Sequence, residues 1–401
     1  MKKIISLLFV CAFALNLVAQ EKQDTTKPEG YKFTIEKQVK TTSVKNQYRS
    51  GTCWSFGGMS FIETEMIRLG KDSVDLSEMF NVYHVYSDRA VKNVRLHGKF
   101  NFGGGAEISD PIDVIAKYGM VPESAYSGIN YGEDNHVHGE MDEVLKDYIA
   151  GVIKNKNKKL TPVWHKGFDA ILDAYLGKIP EKFTYKGKEY TPKTFAEKVV
   201  GINPEDYIYI TSFTHHPFYK PFIFDVPDNW AYKEFYNLPL DEMEQVIDNA
   251  INNGFSVGWS SDVSEKGFSF KDGLAIVPEK DIANMSDSER SKWEKLSKRE
   301  KEAQLYKFEK PGKEKVITQK MRQEAFDNYE TTDDHVMHIT GIAKDQNGTK
   351  YYYVKNSWGT TYNDYKGYFY ASEAYVRYKT TSIAVHKDAL PKSIAKKLGI
   401  K

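Results

Sequence analysis

The stretch Asn46–Phe56, NQYRSGTCWSF, decides how the rest of this chain is read. It runs into CWSFGGMSFIETEMIRL (53–69), which places Trp54, Phe56, Phe61, Ile62, Met66 and Leu69 near helical spacing. Gly51 and Thr52 come just before, so Cys53 is expected at the N-terminus of that helix. A thiol reacts as its thiolate, and the unpaired N–H groups and dipole of a helix start favour negative charge. Gln47, upstream of the thiol, carries an amide able to donate to the oxyanion of a tetrahedral intermediate together with the Cys53 N–H. A buried cysteine is also an ordinary structural residue, so the assignment turns on what accompanies it.

Its company lies near the other end. HVMHITGIA (335–343) and KYYYVKNSW (350–358) flank Asp345–Gln346–Asn347–Gly348. Asn-Gly between two strand patterns is the strongest short-range hairpin signal. That hairpin sets His335 and Asn356 side by side, where the amide oxygen can accept from the imidazole and orient it for proton exchange with the thiol. Trp358 is placed to cover that hydrogen bond. Core histidine, turn asparagine and packing tryptophan are the bland alternatives for each residue taken singly; together with Cys53 and Gln47 they make a nucleophilic site.

On these residues the sequence resembles the papain-like cysteine peptidases. NQYRSGTCWSF is similar to their nucleophile segment, DDHVMHITGIA (333–343) to their histidine strand, and YYYVKNSWGTTY…KGYF to their asparagine segment. NFGGG (101–105), a helix ending KYG, and PESAYSG follow in the family's order. The resemblance implies an α+β fold, with a helical half carrying Cys53, a β-barrel-like half carrying His335 and Asn356, and the cleft between them. It also selects His335 over His338, because the family's histidine follows an acid, here Asp334, and precedes Gly341. His338 would in addition face the opposite side of a strand. Gly104 and Gly105 are expected to let a substrate backbone approach closely, although a plain tight turn explains glycines equally well.

Two departures point within the family. Ser50 stands where the common form has a disulfide-forming cysteine. Cys53 and His335 are about 280 residues apart, against roughly 130–150 in the common form. Both fit the bleomycin hydrolase and aminopeptidase C branch. That resemblance implies a homohexamer around a chamber, and an aminopeptidase whose C-terminal arm closes the cleft and offers its carboxylate to the substrate's α-amine. KDALPKSIAKKL (387–398) resembles the start of the arm, but the sequence ends at Lys401 without the family's Pro-rich end. An open cleft, and with it endopeptidase action, is the alternative. A catalytically inert papain-like binding protein is a further one, opposed by the intact Gln47, Cys53, His335 and Asn356.

Composition agrees. The 401 residues carry 56 Lys+Arg against 55 Asp+Glu, a net +1 that lacks the basic excess of a nucleic-acid reader. Twenty-seven Tyr and 22 Phe exclude a disordered polymer. The start, MKKIISLLFVCAFALNLVAQ, has Lys2 and Lys3, an apolar run from Ile4 to Val18 and then Ala19, the layout of a secretory signal peptide. The run is short for a membrane span, so residues 1–20 are expected to be removed and the mature chain (21–401) exported, with no span. Of the two cysteines only Cys53 then remains, which excludes an internal disulfide.

Within the mature chain the helical half is expected at about 41–130, an insertion at about 130–240, the β-rich half at about 241–386 and a tail at 387–401. Further helices are expected near 75–90 with Ser77 as cap, at 111–119, near 165–177 and at 241–254. Strands are expected at 207–213, 222–226 and 255–263, and the Lys- and Glu-rich 279–310 as a solvated helix or helical hairpin. His136, His138, His165, His215 and His216 follow no metal-ligand spacing. Neither a metal nor an organic cofactor is expected, and peptides are the expected substrates.

Overall fold

β1 (Phe33–Gln38) opens the structured chain, and the central helix α1 (Cys53–Arg68) follows it. In this computed structural model residues 30–99 and 101–400 are described; the basic, apolar start lies outside them. α1 is enclosed on nearly every side: Trp54, Met59, Phe61, Ile62 and Met66 are wholly buried. Each such side chain contributes about 1.5–3 kcal/mol on burial, so its wide apolar surface makes α1 the axis of the helical half. Its two inner acids are partnered, Glu65 by Arg68 at 2.7 Å and Glu63 by the Leu76 N–H at 2.9 Å.

α2 (Glu78–Arg95) begins later than the expected 75, because Ser77 is its cap and accepts from the Phe80 N–H at 3.1 Å. α3 (Asp110–Tyr118) has Pro111 in its first turn and ends at Gly119, whose φ of 91° suits glycine. The stretch expected as an insertion then adds α4 (Gly139–Ile153), which had no clear sequence signal, and α5 (Val163–Leu176). Their Met141, Leu145, Phe168 and Leu172 join the core built by α1 and α2. A small hairpin, β2 (Phe183–Tyr185) with β3 (Lys188–Tyr190), and the single turn α6 (Pro192–Phe195) come next. The insertion closes with β4 (Tyr207–Thr211), β5 (Pro221–Ile223) and β6 (Glu234–Asn237), which extend the main sheet.

The β-rich half starts with α7 (Leu240–Asn252), β7 (Val257–Ser261), β8 (Phe268–Ser269) and β9 (Leu274–Ala275). The charged stretch forms two short helices, α8 (Asp287–Lys295) and α9 (Lys298–Leu305), each opened by a Ser–Glu capping box, at Ser286–Glu289 and Ser297–Glu300. α10 (Gln319–Asp327) leads to β10 (His335–Asp345), β11 (Lys350–Lys355), β12 (Tyr368–Ser372), α11 (Glu373–Lys379) and β13 (Thr380–His386). Between β10 and β11 the expected turn forms: Asp345 Oδ1 accepts from the Asn347 and Thr349 N–H groups, and Gly348 has φ 85°.

The sheet runs β5-β6-β4-β13-β7-β10-β11-β12-β9-β8, with β1 paired to the far half of β10. β10 organises it, pairing antiparallel with β7 and β11. Its side chains alternate: Val336 packs with α1, while Met337 and Ile339 pack with α7. α1 and α7 therefore cover opposite faces. The last helix, α12 (Lys392–Leu398), puts Ile394 and Leu398 into the α7 core and ties Lys397 to Glu242 at 2.5 Å. The segment resembling the start of a cleft-filling arm thus lies on the face of the sheet turned away from α1.

Candidate active site

Cys53 is the first residue of α1, and no side chain caps that end. Thr52 Oγ1 is 2.6 Å from Ser50 Oγ instead. The Cys53 and Trp54 N–H groups are left to act on the sulfur and on what it binds, while the Ser55 N–H turns to the Thr52 carbonyl at 3.0 Å. The Val336 and Trp54 N–H groups reach the thiol and favour its ionised form. Burial is the larger effect, reinforced by the charges of Asp228 and Asp333, and pushes the thiol up to about 12. The resting sulfur therefore keeps its proton until a base takes it.

The expected base, His335, is positioned by β10 and β11. Their register pairs His338 with Lys355, so His335 and Asn356 fall at one end of the pair. His335 Nε2 is 2.8 Å from Asn356 Oδ1, and the same oxygen accepts from the Ser357 N–H at 2.8 Å. A backbone N–H can only donate, so it fixes which end of the amide faces inward. His335 must then carry its proton on Nε2, which leaves Nδ1 with the lone pair. The next residue's N–H, that of Val336, is the group on the sulfur, which brings the start of β10 to the thiol. Burial holds the imidazole down to about 4, against the Asn356 hydrogen bond and the Asp334 charge. Trp358 lies over the ring, centroid to centroid 4.7 Å, and is itself walled by Phe270 at 5.0 Å. Asp334 is engaged at its side chain, where it accepts from the Ser264 N–H at 3.0 Å and Thr332 Oγ1 at 2.8 Å.

Gln47 joins the group through backbone pairing. Its N–H donates to the Ser357 carbonyl at 2.8 Å, and Gly359 N–H to the Lys45 carbonyl at 3.0 Å. Ser357 Oγ donates to Gln47 Oε1 at 2.6 Å, so the amide oxygen is taken and Nε2 is the free donor. Ser357 carries no sequence signal for this role, because the contact spans 310 positions. His338 lies elsewhere: its Nδ1 is 2.9 Å from Ser60 Oγ under α1.

The glycine loop sits next to Cys53 and Trp54. Trp54 Nε1 donates to the Gly104 carbonyl at 2.9 Å, and the buried Arg89 guanidinium donates to the Gly103 and Gly105 carbonyls. A Cβ on Gly104 would stand 3.2 Å from Tyr86 Oη and 3.4 Å from the Gly51 carbonyl. Beside Gly105 the expected room is taken by a carboxylate, since a Cβ there would be 1.9 Å from Asp228 Oδ2. Neither Arg89 nor Asp228 had a local sequence signal, as both act across distant segments.

Among the described residues one group gathers three potential metal ligands, His215, His216 and Asp225, with each His Nε2 about 3.5 Å from the carboxylate. Gln323 Oε1 accepts from the Thr214 N–H at 2.5 Å, which turns Nε2 toward His215 Nδ1 at 3.1 Å. Nδ1 is then the acceptor and the neutral ring carries its proton on Nε2, facing Asp225 rather than offering a lone pair there. No helix among the described residues is long and apolar enough to cross a membrane.

A sequence profile of the Peptidase C1-like family matches residues 87–305 and 297–400. Aminopeptidase C of Streptococcus thermophilus is 24% identical over 405 residues, covering 89% of this chain and 83% of that protein. Aminopeptidase C of Listeria monocytogenes is 22% identical, covering 97% and 90%, and aminopeptidase G of Lactobacillus delbrueckii subsp. lactis 21%, covering 88% and 83%. The crystal structure of PepW from Lactobacillus rhamnosis superposes with a TM-score of 0.67 at 20% identity, over 91% of this chain and 84% of that one. That likeness bears on the fold.

Proposed function

This chain belongs to the Peptidase C1-like family and is a cysteine peptidase, and we propose from that premise that it is an aminopeptidase releasing residues from the amino end of peptides. The observation that carries the chemistry is the Asn356–His335 hydrogen bond, with Nδ1 left as base beside a thiol at an uncapped helix start. As Cys53 attacks the scissile carbonyl, His335 Nδ1 takes the sulfur's proton. The oxyanion is received by the Cys53 N–H and Gln47 Nε2. His335 returns the proton to the leaving amine, and the acyl-enzyme is hydrolysed by water that His335 activates in turn.

Aminopeptidase action is supported by the relatives named above, which align along most of their length. Endopeptidase action has one observation in its favour: residues 392–398 pack with α7, away from the α1 face. Mass spectrometry of products from one peptide supplied with a free and with an acetylated N-terminus, under reducing conditions, separates the two. Stepwise loss from the free form alone is the expected result; internal cuts in both forms refute exopeptidase action. The same reading places the mature protein outside the cytoplasm, on the strength of Lys2, Lys3 and the apolar run to Val18. Recovery of an exported chain that still begins at Met1 would count against signal cleavage. The homohexamer implied by the family resemblance is part of this reading and is tested by light scattering of the purified protein.

A further inference from the structure

The chemistry above leaves unused a set of carboxyl groups packed around the nucleophile. Asp228 is the nearest to the glycine loop. It sits in a turn of the insertion that Asn229 staples from within: Nδ2 donates to the Phe224 and Lys233 carbonyls, both at 2.9 Å, and Oδ1 accepts from the Lys233 N–H at 2.8 Å. The turn is therefore rigid, and it lays the Asp228 carboxylate flat on the backbone of Gly105. A Cβ at that position would lie 1.9 Å from Oδ2 and 2.4 Å from Cγ. The loop is tied on its other side to Trp54, the residue after the nucleophile, through the indole bond to the Gly104 carbonyl.

No ion-pair or hydrogen-bond donor reaches the Asp228 carboxylate among the described residues. The nearby cation, Arg89, is committed to the Gly103 and Gly105 carbonyls. Two further carboxyls lie nearby. Glu107, 1% exposed, and Asp333 are paired by a side-chain hydrogen bond. Asp333 lies two residues before His335 in the chain. Burial holds both of these carboxyls above the usual range, helped at Glu107 by the charges of Asp333 and Asp228 and at Asp333 by those of Asp228 and Asp334, and the charges of Asp228 and Asp333 both act on Cys53. The wall beside the sulfur is thus lined with carboxyl groups, of which Asp228 is the one set against the glycine loop, with Arg89 as the nearby cation whose charge acts on it.

We propose that Asp228 receives the α-ammonium of the substrate's first residue, so that the cleft admits one residue on the amino side of the scissile bond. The carboxylate lies against the backbone of the glycine loop, in the room an additional substrate residue would need to run along that loop. It therefore acts both as a counter-charge for a free amino end and as a stop for a longer chain. An acidic pocket set to select a basic side chain would need that backbone room left open. This assignment rests on the reading of the site as an aminopeptidase cleft. It differs from that reading in locating the amine receptor within the insertion rather than at the C-terminus.

The test compares wild type with Asp228→Asn and Asp228→Ala on three arylamides: a free aminoacyl arylamide, an acetylated dipeptidyl arylamide, and the same acetylated compound with arginine before the cleaved residue. Active sites are counted by thiol alkylation and folding is followed by thermal melting. Wild type is expected to cleave only the free aminoacyl compound. Asp228→Asn should lose about 10- to 100-fold in kcat/KM on it, the range for a charged hydrogen bond. Asp228→Ala, which also clears the stop, should gain cleavage of the acetylated compounds. If Asp228→Asn keeps full kcat/KM on the free amine, or loses it only in step with melting and thiol count, the assignment is overturned while aminopeptidase action stands. If wild type cleaves the acetylated arginine compound best, both fall.

Discussion

Replacing Asn356 by alanine removes one acceptor and strands two donors. Oδ1 accepts from His335 Nε2 and from the Ser357 N–H, each at 2.8 Å, while Nδ2 has no hydrogen-bond partner among the described residues. A buried donor left unpaired costs about 1–3 kcal/mol. The vacated space admits water able to satisfy one of the two, so the expected stability loss is about 1–3 kcal/mol, close to that for a single orphan. Catalysis should suffer differently. Trp358 still covers the imidazole face at 4.7 Å, so the ring keeps its plane and loses its in-plane anchor. General acid–base work contributes about 10²–10⁴-fold, and only its orientation is removed here, so kcat/KM should fall about 10- to 100-fold. That corresponds to about 1.4–2.7 kcal/mol of transition-state stabilisation. The assay is kcat/KM on a free aminoacyl arylamide, normalised to alkylatable Cys53. Asn356→Asp, which again offers an acceptor to both donors, should recover part of the rate and move the acid limb of the pH profile upward, because a carboxylate favours the imidazolium. An Asn356→Ala enzyme with unchanged kcat/KM would refute the orienting role. A loss as deep as that of Cys53→Ala would show that the amide does more than orient.

Three further outcomes are expected. On the proposed mechanism neutral His335 is the base, and burial holds it down to about 4, so kcat/KM should decline only as pH falls through about 4; an acid midpoint near the free imidazole value of about 6.5 contradicts this. Ser357→Ala frees Gln47 Oε1 from its 2.6 Å donor, and kcat should drop about 10-fold, well short of the full loss of an oxyanion donor, with recovery in Ser357→Thr; a change confined to KM argues against oxyanion positioning. Gly57→Ala sets a Cβ 2.9 Å from Val336 Cγ1 and 3.0 Å from its carbonyl, wedging α1 from β10; kcat/KM should fall about 100-fold for a displacement on the order of 1 Å, and wild-type activity in that variant would show that this contact does not set the spacing.

What could be read from the linear chain were the features that local chemistry decides. Ser77 caps its helix because its hydroxyl lies three residues from the Phe80 N–H. Asn347–Gly348 turns the hairpin because Gly348 accepts φ 85°, and α1 begins at Cys53 where the apolar period begins. Gln47, Cys53, His335 and Asn356 stood out as site candidates because their motifs are short and contiguous around each residue. Elements whose existence depends on partners were less legible. Residues 21–40 read as a linker or a surface strand, and β1 is a strand because the far half of β10 offers it an edge; α11 fits between β12 and β13, where the linear chain marked no helix. Only the folded chain brings Ser357 onto Gln47 across 310 positions, turns Arg89 onto the glycine carbonyls, and lays Asp228 against Gly105. Capping and turn formation act over three or four residues and leave a mark in the order of amino acids. A carboxylate held against a backbone by two distant segments leaves none, because its position is set by how the core packs.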